Sequence, residues 1–156
     1  MLKQYYKPET YKARNSIGYL VRRARNLITQ QIEARFKEKG GDIGFIHFVI
    51  LMCLRDDLAR TPSEICQYIC HDSGALTRVL DQMEERGLIK RHRSTSDRRR
   101  VEISLAPKGV TTVENLIGIV TDFYNETLVD FSHSEADMLI SLLGKFLNRL
   151  DSPKGH

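Results

Sequence analysis

"SGALTRVLDQMEERGLIKRHRSTSDRRRVEISL", residues 73–105, changes its period halfway along. Leu76, Val79, Leu80 and Met83 stand at i, i+3, i+4 and i+7, the spacing of one helix face, and Gly87 is the residue that a helix end favours. Beyond it Val101, Ile103 and Leu105 alternate with Arg100, Glu102 and Ser104, the period-two signature of a half-buried strand. "LIKRHR" before it is the partner strand, which makes "STSDRR" the loop of a hairpin. The expectation is a helix followed by a two-stranded ribbon, with Arg98, Arg99 and Arg100 at its tip and far side.

Upstream, "TPSE" at 61–64 reads as a helix start: Thr61 at the N-cap, Pro62 in the first helical position and Glu64 completing a capping box. That helix is short and ends near "CHDS", where Asp72 or Ser73 can cap the next, so two helices meet at a tight turn. Two more precede them. Residues 15–36 place Ile17, Leu20, Val21, Ala24, Leu27, Ile28, Ile32 and Phe36 at helical spacing, and "GFIHFVILMCLRDD" is apolar on almost every side and expected to be buried all round. After "APKG" comes a stripe through Val110, Val113, Ile117, Val120, Tyr124, Thr127 or Leu128, and Phe131. A second capping box, Ser132 to Glu135, opens a last helix with a wide apolar face from Met138 to Leu150.

The fold class is therefore mainly α with a small β-hairpin wing. One domain over 1–156 is expected: a winged helix-turn-helix lobe at 42–105, dimerisation helices at 1–40 and 107–151, and a disordered tail at 152–156. The terminal helices carry more apolar face than a small winged-helix lobe can cover, and association of two chains is the natural way to bury it.

Net charge is +4, unevenly spread: seven Lys/Arg against one acid in 1–25 and again in 86–100, six against ten in 26–85, four against eight in 101–156. Two basic stretches on a mildly acidic chain suggest a polyanion partner. Repulsion within the ribbon should oppose compaction until a counter-charge arrives, with Asp97 alone placed to brace an arginine. In a winged helix-turn-helix the second helix, here 73–86, fits the DNA major groove, and the wing, here 88–105, reaches an adjacent minor groove. The candidate DNA contacts are Ser73, Ala75, Thr77, Arg78 and Gln82 on the helix and Arg93, Asp97, Arg98, Arg99 and Arg100 on the wing. Small side chains let the helix approach closely, and Arg78 can reach a guanine edge or a phosphate. The alternative is a winged helix used as a protein-binding adaptor, which has no need of seven basic residues around its wing.

The N-terminus has no apolar signal core, and the longest apolar run, "FIHFVILMCL", falls far short of the roughly 20 residues that cross a bilayer, so a cytoplasmic protein with no membrane partner is expected. No nucleophile elbow, zinc-protease, P-loop or dinucleotide motif occurs; no enzyme is expected, and no catalytic residue, cofactor or metal is assigned. Cys53, Cys66 and Cys70 are an odd number, and reduced thiols are expected. Cys66 and Cys70 could form a redox switch, although their spacing fits no established zinc site and inert packing is the preferred reading. His47 and Tyr19 are candidate ligand contacts, against roles as a core histidine and a dimer-arm aromatic.

"SGALTRVLDQMEERGLIKR" followed by "DRRRVEISLAPKG" resembles the recognition helix and wing of the MarR family of bacterial winged helix-turn-helix transcriptional regulators. The resemblance covers about 60–110 at motif level and the whole chain in helix order. It implies a homodimer joined by the N- and C-terminal helices, each winged helix reading half of a palindromic operator in double-stranded DNA. It also implies regulation, usually repression, relieved by a small aromatic or phenolic ligand or an oxidant. Ser73, Ala75, Thr77 and Arg78 would lie at the groove-facing start of the recognition helix, Asp97 and Arg99 would form the wing's Asp-x-Arg pattern, and Arg98 or Arg99 would enter the minor groove. Gly44 and His47 stand where relatives often carry Thr and Gln. Ala106 stands where many carry Thr, so a capping oxygen worth about 1 kcal/mol is missing and a looser junction between wing and following helix is expected.

Overall fold

Ser16 begins the first long helix, its Oγ accepting the Tyr19 N–H at 3.2 Å, and α1 runs Ile17–Glu38. The structure, a computed structural model, describes residues 4–39, 41–69, 73–94, 97 and 100–152. Two single 3-10 turns, Pro8–Thr10 and Ala13–Asn15, precede α1, and the Tyr6 hydroxyl accepts the Ile17 N–H at 2.9 Å. Only Ile32 and Phe36, near the far end of α1, are buried; Ile17, Leu20, Val21 and Leu27 face outward.

Helix α2, Phe45–Arg55, has its first turn held from two sides. The Gly44 N–H donates to His47 Nδ1 at 3.1 Å, and the Phe45 N–H donates to Glu33 Oε1 of α1 at 3.1 Å. Phe48, Ile50, Leu51 and Cys53 are buried, while Val49, Met52 and Leu54 keep partial exposure, so α2 is not buried all round: within one chain its neighbours cover only part of its circumference. The helix ends with Asp57 in the left-handed region (φ 54°) and the Leu58 N–H on the Cys53 carbonyl at 3.0 Å.

Helix α3, Pro62–Ile69, starts with the expected box: the Glu64 N–H donates to Thr61 Oγ1 at 3.3 Å, and Glu64 Oε2 accepts the Thr61 N–H at 3.0 Å. Helix α4, Ser73–Glu85, buries Leu76, Leu80 and Met83. It stops at Gly87 (φ 70°), where the Leu88 N–H reaches the Met83 carbonyl and the Gly87 N–H reaches the Glu84 carbonyl, both at 2.9 Å. That pair of bonds is the Schellman end that favours glycine.

Strands β1, Ile89–Arg93, and β2, Val101–Leu105, pair antiparallel with Arg91 opposite Ile103 and Arg93 opposite Val101. The Ile103 N–H also donates to the Arg60 carbonyl at 2.7 Å, tying the ribbon to the loop before α3. Ile103 is buried, but Val101 is 43% exposed, so the alternation marks a packed face only at the base of the ribbon.

Helix α5, Pro107–Thr127, follows directly. Its junction is not loose. The Ala106 N–H donates to the Leu88 carbonyl at 3.0 Å, Lys108 Nζ donates to the Arg86 carbonyl at 2.9 Å, and Gly109 lies so close to Leu88 that a Cβ there would sit 2.0 Å from its carbonyl oxygen. The buried large apolar residues of α5 are Val113, Leu116 and Phe123, whereas Val110 and Tyr124 of the expected stripe stay exposed.

The chain divides into two compact units, residues 1–119 and 120–156. The second contains the end of α5 and α6, His133–Asp151, opened by the expected Ser132–Glu135 box; no residue of α6 is buried. No helix among the described residues is long and apolar enough to cross a membrane.

Candidate nucleic-acid interface

With Leu76, Leu80 and Met83 turned inward, α4 presents Ser73, Thr77, Arg78 and Gln82 to solvent, while Ala75 is half-buried. Thr77 Oγ1 donates to the Ser73 carbonyl at 3.0 Å. Arg93 is exposed at the end of β1, and Asp97 is exposed in the loop, where its carbonyl accepts the Arg100 N–H at 2.9 Å. Arg98 and Arg99 lie outside the described residues, as do Cys70 and the turn at 70–72.

The ribbon's charges are less naked than the sequence suggests. Arg91 donates from its backbone N–H to Glu84 Oε1 at 3.1 Å and from Nη1 to Glu84 Oε2 at 2.9 Å, while its Nη2 lies 2.7 Å from Asp81 Oδ1. Two acids of α4 thus clamp β1. Arg100 Nη2 meets Glu64 Oε1 at 2.9 Å, and Arg86 Nη2 lies 3.4 Å from Asp42 Oδ2. Counter-charges for these three arginines are therefore built in, which lessens the repulsion expected among the basic residues of 86–100. Among the described residues, Arg78, Lys90 and Arg93 enter no ion pair. The clamp escaped the sequence reading although strand parity hints at it, since Arg91 shares a face with the buried Ile89.

Neither weak ligand candidate lines either of two clefts in the first unit. His47 is occupied as the cap of α2, and its buried Nε2 has no hydrogen-bond partner among the described residues. Tyr19 accepts a bond from Arg23 Nη1 at 3.4 Å, and its ring lies 5.9 Å from the Arg22 guanidinium. One cleft, about 430 Å³, lies behind the ribbon against Leu54, Arg60, His92, Ile103 and Val110. The other, about 310 Å³, sets Lys39, Arg86 and Lys108 around Phe36, Leu88 and Leu116. Cys66 is half-buried, and burial pushes the Cys53 thiol up from its ordinary value, away from reactivity.

Residues 47–101, from α2 to the start of β2, match the model of the MarR family. The HTH-type transcriptional regulator SarZ of Staphylococcus aureus is 27% identical over 108 residues, 69% of this chain and 72% of SarZ. Among solved structures, an E. coli MarR variant complexed with operator DNA is 26% identical with a TM-score of 0.73, covering 84% of this chain and 93% of that one. Bordetella bronchiseptica BpsR, described with the regulation of its DNA binding by 6-hydroxynicotinic acid, is 22% identical with a TM-score of 0.77, covering 92% of this chain and 99% of its own. The helix order, the paired wing beside an exposed helix and the matched segment agree: residues 47–101 match the MarR family, and the chain is similar to winged-helix transcriptional regulators of that family.

Proposed function

We propose that this regulator is a homodimeric repressor that binds a palindromic operator, each subunit laying α4 in a major groove and its ribbon along the adjacent minor groove. Residues 42–105 serve as the DNA-binding lobe, and 1–40 with 107–151 as the dimerisation helices. The observation that carries the reading is the outward face of α4, where Ser73, Thr77, Arg78 and Gln82 are exposed and Arg78 enters no ion pair among the described residues. Arg78 then reads a guanine edge or grips phosphate, Ser73, Ala75 and Thr77 allow close approach, and Gln82 lies further along the groove. Arg93 and the loop with Asp97, Arg98 and Arg99 supply the wing's contacts. Repression follows from occupancy, because a dimer across two half-sites obstructs whatever else must bind there.

A small aromatic acid is the effector class that suits the cleft lined by Lys39, Arg86 and Lys108, whose cations surround an apolar floor. The hydroxynicotinic acid named for BpsR has that chemistry. A thiol switch at Cys66 and Cys70 has no comparable support.

Selection of the purified chain on random duplex DNA, followed by titration of the winners against salt, tests the reading. An enriched palindrome with half-sites about one helical turn apart and a steep salt slope is expected. No enrichment and a flat slope would refute it in favour of the adaptor.

A further inference from the structure

A two-stranded hairpin is marginal in water by itself, so this ribbon has to be held by the lobe it projects from. Its base is well tied, through the Ile103 N–H to Arg60, the Ala106 N–H to Leu88, and Arg91 to Asp81 and Glu84. Its loop end is different, because Val101 in the last rung is 43% exposed and offers less apolar anchorage than the buried Ile103.

Arg100 stands at that end. Its N–H donates to the Asp97 carbonyl and its own carbonyl accepts the Ser94 N–H, both at 2.9 Å, so it closes the loop. Its guanidinium then leaves the ribbon and meets Glu64 Oε1 at 2.9 Å. The other oxygen of that carboxylate accepts the N–H groups of Arg60 and Thr61, both at 3.0 Å, at the start of α3. One carboxylate therefore caps the first helix of the helix-turn-helix and holds the wing. Its hydrogen bonds from Arg60 and Thr61, with the Arg100 charge, keep Glu64 below the usual carboxylate range and hence ionised at neutral pH.

We propose that Glu64 and Arg100 are positioning residues for DNA binding: their ion pair sets the angle of the wing against the helix-turn-helix before DNA arrives, and Arg100 is not itself a phosphate contact. This rests on the reading that α4 and the ribbon grip one duplex. Fixing the angle in advance removes an ordering cost from association. Arg100 thus belongs with the scaffold, and the cations of α4 and the ribbon that enter no ion pair among the described residues, Arg78, Lys90 and Arg93, belong with the DNA.

The test uses the full-length chain and the duplex that it selects. A wild type that selects no duplex overturns that reading and the latch with it; a wild type that binds leaves the latch to its variants. Glu64→Gln keeps an oxygen for the two N–H groups and removes a negative charge near the DNA. Electrostatics alone would then tighten binding, whereas the latch requires it to weaken. Glu64→Gln and Arg100→Gln should each weaken binding roughly two- to fivefold, the range of an exposed ion pair. The double variant should be no worse than the weaker single one, Arg100→Lys should recover most of the loss, and the salt slope should stay at the wild-type value. A slope lowered by about one per subunit in Arg100→Gln, tighter binding by Glu64→Gln, or additive losses would overturn the proposal. Should Glu64→Gln unfold α3, Arg100→Gln in its exposed loop still decides through the slope.

Discussion

The His47 imidazole sits at the start of α2 with Nδ1 accepting the Gly44 N–H and Nε2 buried without a partner among the described residues. Burial is the main reason its pKa lies below the ordinary 6.5, and the Arg86 charge adds to it; the Gly44 bond and the charges of Asp42 and Glu33 act in the opposite direction. The sign of the consequence is definite. Between 6.5 and the lowered folded value the unfolded chain binds a proton that the folded chain refuses, so stability falls as pH falls through that window and levels off beneath it. His47→Gln, which does not titrate, should flatten the thermal midpoint of unfolding against pH between neutrality and the onset of carboxylate titration. An unchanged profile would mean that the imidazole takes up its proton equally in both states. The sequence offered His47 as a ligand contact or a core histidine, and the structure gives it a third role as a helix cap. The Gly44–His47 spacing of three carried that signal, hidden because glycine has no side chain to complete a recognisable box.

At the scale of elements, the junction between ribbon and α5 is where a backbone carbonyl meets a helix with no room to spare. A methyl group at residue 109 would come within 2.0 Å of the Leu88 oxygen, which also accepts the Ala106 N–H, and neither partner is a side chain that can swing aside. Gly109→Ala should therefore cost about 1–3 kcal/mol or more in urea unfolding. Gly118→Ala, on the same helix, where the added Cβ would meet nothing within 4 Å, should gain roughly 0.5–1 kcal/mol. Equal effects would show that the close approach does not matter. The boundaries of these elements were legible because they rest on local chemistry: the Thr61 and Ser132 boxes, Gly87 and the period-two strand. The buried face of α5 was not. Apolar residues surround much of that helix, and the choice of Val113 and Leu116 over Val110 is made by what packs against it rather than by spacing. The exposed side of α4 followed from its inward stripe, whereas Glu64 and Arg100, 36 residues apart, meet only once the ribbon has folded back, and no periodicity announces such a pair.

For the molecule as a whole, the unburied apolar surface decides how many chains act together. On α1, Ile17, Leu20, Val21 and Leu27 are exposed, and on α6 the exposure reaches 68% at Ile140 and 64% at Leu150. Full burial of one such side chain stabilises by about 1.5–3 kcal/mol, so two helices with this much uncovered face have a strong reason to pair with a second copy. Charge agrees, since residues 1–25 carry seven cations against one acid while 101–156 carry four against eight. Sedimentation at micromolar concentration should accordingly give a particle of twice the 18.0 kDa chain mass. Leu139→Glu together with Leu142→Glu, on the exposed face of α6, should shift it to the monomer while leaving the winged-helix lobe folded by circular dichroism. The same double variant should lose most of its preference for a full palindrome over a single half-site, because two recognition helices gain from one duplex only while they are linked. A wild-type monomer would remove the two-fold reading of the operator; a dimer indifferent to both substitutions would move the interface away from α6.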